Sequence, residues 1–417
     1  MASKEHWSLL DVVCRVFSKL SFLIRFQVDP KRHKIYKAEN TTTYMKRVNL
    51  IFTILLCSTA VASFYAQVWR LISGNMTVSH NDIFQILKSS ALLFTTLVTS
   101  TLLPTVWMLA WAPEIVVNIM NPLEEIFTGL KDSCHPGVVK REHNSSQMLT
   151  LLGKVFLIVP TIVSPFASIF AVILEIDASK EFSEFLLPTA FHAKKGIRIL
   201  IPLVWRMIVL AWLEFQFLAA ANFLLQFGTT VFKTMEKFIL ILGRVNSSCI
   251  RDPSDPEELL IAKLWPNTSV ARARSLKIKF YRIYQIYWYY VDENFNELLG
   301  AHGLLFGGIC EIIGNYFIVR FYGELPFLLY GPAVVLFILL GVEIFVALDV
   351  MRNPYRLSTV FLDELKARKP SKYVVKVLRS MRPLEVSIGV FTKVRRDTGL
   401  IMYKIIADFT FTALLTI

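Results

Sequence analysis

The sequence predicts an all-α polytopic membrane protein with seven transmembrane helices, its N-terminus cytosolic and its C-terminus extracellular. Three observations predict it. Of 417 residues, 54% are hydrophobic and 32 are Phe, above the roughly 45–50% of a soluble chain, so lipid must solvate the excess. Seven apolar stretches reach the roughly 20 residues that a helix needs to cross a bilayer core. The basic residues are one-sided: ten Lys and Arg fall in residues 1–47, three in 112–147, ten in 228–297 and twelve in 349–397, against Arg70 and four in 177–198 on the alternate side. Thirty-five against five sets the orientation by the positive-inside bias.

Residues 1–47 read as a cytosolic N-terminal segment with an interfacial helix. Trp7, Leu10, Cys14, Phe17, Ser21 and Ile24 share one helical face opposite Asp11, Arg15, Lys19 and Arg25, an amphipathic pattern suited to a membrane surface. Charges within the apolar run exclude a cleaved signal peptide. Residues 48–227 hold spans 1 to 4 with their loops. Span 1 covers about 48–69, and span 2 about 83–111, where Ala112-Pro113 closes it. A loop with Pro122 and Pro136 leads to span 3, about 148–176, whose Pro160 and Pro165 predict a kink. Span 4, about 199–227, follows a polar loop at 177–198 and carries Arg206 and Glu214. Of five glycosylation sequons only Asn75 falls on the predicted outer side.

Residues 228–297 form the longest non-spanning stretch. Its middle breaks helix at RDPSDPEE (251–258), but both flanks are helical in pattern and too aromatic for a flexible linker. They read as a cytosolic helical extension of spans 4 and 5 and as a subunit-contact region. Residues 298–348 hold span 5, with the small-residue pair Gly303 and Gly307, and span 6, separated only by Gly323-Glu324-Leu325-Pro326. Residues 349–397 are a basic cytosolic helical segment. Tyr287 and Trp288 are expected at subunit contacts between 264–300 and 350–397, since interfaces favour such side chains. Residues 398–417 form span 7, about 30 Å of helix, and the chain stops where that helix would leave the bilayer.

No enzyme signature is present: there is no HExxH, GxSxG, phosphate-binding loop or GxGxxG. The five cysteines (Cys14, Cys57, Cys134, Cys249 and Cys310) include no CxxC pair, so neither a disulfide framework nor a metal site is expected, and no cofactor. The net charge of +13 does not indicate nucleic acid, because the basic residues cluster beside the spans. Ionisable groups within spans need partners or water. Lys404 and Asp408, four apart in span 7, read either as an intrahelical pair or as the border of an aqueous path. Lys154 and Arg320, near span ends, are positioned to snorkel. Arg206, Glu214, Glu311 and Asn315 read either as structural pairings between helices or as the polar part of a cavity in the outer half of the bundle. A small organic ligand would find aromatic walls there. The candidate ligand-binding residues are Phe84, Phe94, Trp205, Trp212, Glu311, Asn315, Tyr316 and Tyr330.

In gustatory receptors the last span carries Thr-Tyr, then hydrophobics, then Gln-Phe. Here Thr410-Phe411, Leu414-Leu415 and Thr416-Ile417 stand in that order, with three substitutions and one position fewer. With the stretch YVDENFNELLG at 290–300, seven spans and a cytosolic N-terminus, the chain resembles an arthropod chemoreceptor of the gustatory/odorant superfamily. The resemblance implies a ligand-gated, non-selective cation channel in the plasma membrane of sensory neurons. It further implies four subunits, alike or mixed with related chains, around a pore lined by span 7, each holding its own tastant or odorant-like ligand. Helical spacing puts Met402, Ile405, Phe409, Thr412 and Thr416 on one face of span 7, and Leu400, Lys404, Asp408, Phe411 and Leu415 on another. Four lysines around a cation path would repel the ion, so the pore and gate are expected at Ile405, Phe409, Thr412 and Thr416, with Ile405 or Phe409 as a dewetting constriction. Two other functions fit the layout: a small-solute transporter, and a seven-span receptor acting through a cytosolic partner. A transporter would show broken helices in paired halves, and only span 3 carries such prolines.

Overall fold

The computed structural model describes residues 4–20, 26–37, 103–133, 200–245, 269–324, 327–367, 372–389, 392–395 and 397–416, with scattered positions between 47 and 100 and at 154, 169 and 172. Helix α1 is Lys4–Leu20, strands β1 and β2 are Phe26–Asp29 and Lys34–Lys37, and α2 is Pro113–Asp132. Helix α3 is Leu200–Arg244 and α4 is Ser269–Val291, which passes through a π-helical stretch, Asp292–Gly300, into α5, Ala301–Arg320. Then come α6, Phe327–Ala367; α7, Lys372–Ser380; β3 and β4, Ser387–Ile388 and Thr392–Lys393; and α8, Thr398–Thr416. The chain is mostly helical, and the two antiparallel hairpins depart from an all-α fold. Span 3, most of spans 1 and 2, the loop 177–198, Asn75 and the middle of 228–297 lie outside the described residues.

Among the described residues three helices are long and apolar enough to cross a membrane, over Gly303–Arg320, Ala333–Ala367 and Thr398–Leu415. A bent pair, Leu103–Trp111 and Pro113–Leu130, meets at 73° and could make a fourth. Its break has a local cause. The π-turn Trp107–Trp111 closes with the Ala112 N–H donating to the Trp107 carbonyl at 3.0 Å, and Pro113 then opens α2 at the one helical position where a missing N–H costs nothing. Residues 112–147 were expected as a loop. They instead begin with this 20-residue helix, whose buried Val116, Ile119, Met120, Leu123, Phe127 and Leu130 recur at helical spacing on one face.

Helix α3 is 45 residues long and α6 is 41, about 67 and 60 Å, or roughly twice a bilayer core. Their far halves enter a basal layer with α1, the β1–β2 hairpin, α2, α4, α7 and residues 381–394, and one large apolar core fills it. Helix α1 buries Trp7, Leu10, Cys14 and Phe17 against α3 and β1, so protein covers the apolar face that was expected at a membrane surface. The hairpin turns through His33 at φ 53°. The N–H groups of Arg32 and Lys31 donate to Asp29 at 3.0 and 2.9 Å, and these donors, Arg32 foremost, hold the Asp29 carboxyl below its usual value. Asn121 of α2 pairs with the hairpin as a strand would, its Oδ1 accepting from Ile35 N–H at 3.0 Å and its Nδ2 donating to the Ile35 carbonyl at 3.1 Å.

The aromatic run of α4 divides between two faces. Tyr281, Tyr284, Tyr287 and Trp288 are buried, whereas Ile286 and Tyr289 are 74% and 70% exposed. Tyr284 stacks on Phe238 of α3 and Tyr281 on Phe361 of α6, with ring centroids 4.5 and 5.3 Å apart. Three polar tips reach backbone oxygens in other elements: Tyr281 Oη donates to Arg382 at 2.8 Å, Tyr287 Oη to Ile119 at 2.6 Å and Trp288 Nε1 to Glu385 at 2.6 Å. Tyr287 and Trp288, chosen from the sequence for subunit contacts, are therefore spent on the chain's own packing.

Candidate ligand and pore site

Helices α5, α6 and α8 pack together and carry most of the described candidates. Their contact surface is built on glycine. A Cβ on Gly307 would sit 3.1 Å from Ile344, one on Gly308 would collide with Met402 of α8, and one on Gly314 with the ring of Phe337. Gly303, paired with Gly307 in the sequence reading, has nothing near it. The small-residue face that sets helix distance is thus Gly307, Gly308 and Gly314.

Within that contact Glu311 of α5 faces Gly341 of α6, where a Cβ would meet Glu311 Oε1 at 2.7 Å. Its other oxygen, Oε2, is buried and has no hydrogen-bond partner among the described residues. Tyr403 of α8 closes the group by donating its hydroxyl to the Gly341 carbonyl at 3.1 Å. Five residues along α5, Tyr316 is buried against Phe321, with Ala413 and Leu414 of α8 packed beside them, and its hydroxyl also lacks a partner. Tyr330 lies near the α5–α6 turn, where it donates to the Ile318 carbonyl at 2.8 Å and meets the Tyr322 ring edge-on at 6.2 Å. Asn315 is half-buried on the Glu311 side of α5. Arg320, expected to snorkel, pairs with Glu324 at 3.1 Å.

The other candidates belong elsewhere. Trp212 of α3 is half-buried and meets Phe52 edge-on at 4.9 Å, next to the large core. Phe84, Phe94 and the side chain of Trp205 lie outside the described residues. Glu311, Tyr316 and Tyr330 line one helix contact at different levels, and Trp212 stands in a second. Gly341 and Tyr403 complete the Glu311 group and were missed, because neither a lone glycine nor a tyrosine at the start of a span announces a carboxylate opposite it.

Helix α8 presents a narrow buried face and a wide open one. Ile406 and Thr410 are buried, and Met402, Tyr403, Ala413 and Leu414 half-buried. Ile405 and Phe409 are 43% and 59% exposed, Thr412 is exposed, and so are Leu400, Lys404, Asp408, Phe411 and Leu415. Both sequence-derived faces thus stand outside the chain's own packing, except for Met402. Among the described residues no ion pair joins Lys404 to Asp408, and the Asp408 backbone carbonyl instead accepts from Thr412 Oγ1 at 2.8 Å. The Thr416 side chain lies outside the described residues.

No protein family and no curated protein matches the sequence. The fold is another matter. Long helices joined by a basal layer define a helical membrane-protein architecture, and solved structures share it over nearly the whole chain. The insect olfactory receptor OR5 from Machilis hrabei in complex with eugenol superposes with a TM-score of 0.55 at 13% identity, covering 99% of this chain and 98% of the other. A second structure of the same receptor gives a TM-score of 0.54 at 11% identity, over 96% and 97%. The chain therefore has the fold of an insect olfactory receptor.

Proposed function

We propose that this chain is a chemosensory receptor subunit that works as a ligand-gated, non-selective cation channel. The observation that carries the reading is the open face of α8, left bare by its own chain within a fold similar to an olfactory receptor from end to end. An apolar helix with exposed Ile401, Phe409, Phe411 and Leu415 needs lipid or further subunits against it. Lys404 and Asp408 on the same side argue against lipid alone. Four copies around an axis would satisfy both, with Ile405 or Phe409 as the dewetting gate and Thr412 and Thr416 beyond it. Ile286 and Tyr289 take over the subunit contact that the sequence had given to Tyr287 and Trp288.

The ligand is a small organic molecule held in the outer half of the bundle, with Glu311, Asn315, Tyr316 and Tyr330 as its described candidates; Phe84, Phe94, Trp205 and Trp212 stay candidates from the sequence. Seven spans, a cytosolic N-terminus and an extracellular C-terminus complete the topology. The ending 410–417 supports the gustatory branch and a plasma-membrane location in sensory neurons. The decisive measurement is current from a cell expressing this chain alone, with eugenol as the first probe and a panel of tastants after it. Agonist-evoked, poorly selective cation current supports the channel. Uptake of the probe without current would favour a transporter, and a second-messenger response without current a partner-coupled receptor. Surface staining of a tag after Ile417, but not of one before Met1, checks the orientation.

A further inference from the structure

Nine consecutive residues, Asp292–Gly300, are π-helical between α4 and α5. Such stretches are rare beyond a single turn and are frequent at functional sites. Asp292 opens this one, and its carboxylate is fully engaged: Oδ1 accepts from Ser387 N–H at 2.8 Å and from Asn296 Nδ2 at 2.8 Å, and Oδ2 from Ser387 Oγ at 2.6 Å. Ser387 is the first residue of β3, pairs with Lys393 of β4, and is separated from α8 by that hairpin alone. The far end of the hairpin is also fixed, for Glu385 pairs with Lys393 and with Arg395, and Arg395 N–H donates to Thr398 Oγ1 at the start of α8 at 2.8 Å. Gly300 ends the π stretch with space for no more than a Cβ, which would meet the Ser387 carbonyl at 3.6 Å.

We propose that Asp292 is a positioning residue: its clasp on Ser387 sets where the lead-in of α8 sits against the α4–α5 junction, and so sets the attitude of α8 in the assembly. The proposal rests on the reading that α8 borders the conduction path, but its function is mechanical and distinct from ligand or pore contact. A charge-assisted pair of hydrogen bonds is the strongest kind a side chain makes to a neighbouring backbone, and here the pair joins two elements 95 residues apart. Release would free β3 from the α4–α5 junction, leaving Trp288 to hold the lead-in at Glu385 and the Gly308 and Tyr403 contacts to hold α8 higher up.

The test uses the full-length chain in membranes of expressing cells and requires no agonist. A charged methanethiosulfonate reagent is applied outside to Thr412→Cys, with the parent chain, which holds exposed Cys57, as the subtracted background. Asp292→Ala is expected to change the modification rate about tenfold, the factor for one charge-assisted hydrogen bond, and Ser387→Ala about threefold. The double variant should do no more than Asp292→Ala alone, because both act through one clasp. Asp292→Asn keeps a carbonyl for the two N–H donors and an amide donor for Ser387 Oγ but loses the charge, so it should fall between the parent and Asp292→Ala. Unchanged rates in Asp292→Ala and Ser387→Ala, or additive effects, overturn the proposal, as does Asp292→Asn behaving like Asp292→Ala. Should Asp292→Ala fail to fold, Ser387→Ala and Asp292→Asn decide by the same criteria. A shifted modification rate in a chain that passes no agonist-evoked current sinks the channel reading and leaves the clasp standing.

Discussion

Tyr284 of α4 is fully buried and Leu415 of α8 is 86% exposed, although Tyr284 carries a hydroxyl and Leu415 is wholly apolar. The contrast runs through their surroundings. In the basal layer, aromatic rings from α3, α4 and α6 stack on one another, and the polar tips of Tyr281, Tyr287 and Trp288 reach backbone carbonyls of other elements. Helix α8 commits one narrow strip to α5 and α6 and leaves the rest uncovered. One region is covered within a single chain, and the other is left bare by it. Substitutions in the two regions should therefore differ in what they cost the folded chain.

The largest effect should come from emptying the basal core. Tyr284→Ala removes a ring stacked on Phe238 and should lower unfolding stability by about 3–5 kcal/mol, read as lost monodispersity or a large fall in Tm of the detergent-solubilised chain. A wild-type-like melt would mean the core is not where the stability lies. Alkaline pH probes the same region without substitution. Burial pushes the phenols of Tyr281, Tyr284 and Tyr287 and the thiol of Cys14 upward. A group raised in the folded state keeps its full contribution below its unfolded value and loses it progressively as pH climbs from there toward the raised folded value, so Tm should hold to about pH 9 and fall continuously above it. A flat profile would contradict this burial. Smaller is Gly341→Ala, which drives a methyl against Glu311 and should cost about 1–3 kcal/mol, with a fall in Tm that Glu311→Ala partly restores. Smallest is Phe411→Ala on the bare side of α8, expected within about 0.5 kcal/mol for the monomer yet visible in assembly on native gels. If Phe411→Ala destabilised the isolated chain as Tyr284→Ala does, the comparison would collapse.

Among the described residues the last three apolar helices were legible in the sequence, because apolar runs bounded by Gly, Pro and charge have few readings. The expected fifth and sixth spans met at Gly323-Glu324-Leu325-Pro326, and the structure turns there, with Gly323 at φ 79°. The end of span 2 at Ala112-Pro113 is the 73° break. The base was harder. Helix α2 had a clear period in Val116, Ile119, Leu123, Phe127 and Leu130 but was obscured by Pro122 and by the assumption that a segment between spans is a loop. The β1–β2 hairpin is only four residues a side, and its pairing with Asn121 depends on a residue 86 positions away. Which aromatics of α4 face inward was likewise not readable, since Tyr, Trp and Ile alternate on every face and only the arrival of α3 and α6 decides. For the site, Glu311 and Asn315 were visible as polar residues in an apolar span, but Gly341 and Tyr403, which complete the Glu311 group, come from helices that share no pattern with it.

Helix α3 is about 67 Å of unbroken rod with one end among the spans and the other in the base. Pivoted at its middle, a tilt of about 5° would carry each tip sideways by about 3 Å, more than the clearance left between side chains in a packed interior. Moving one tip by that much moves the other by as much, so a repacking among the spans is matched by a repacking in the base. A continuous helix of that length joins the two layers with no hinge in the helix itself.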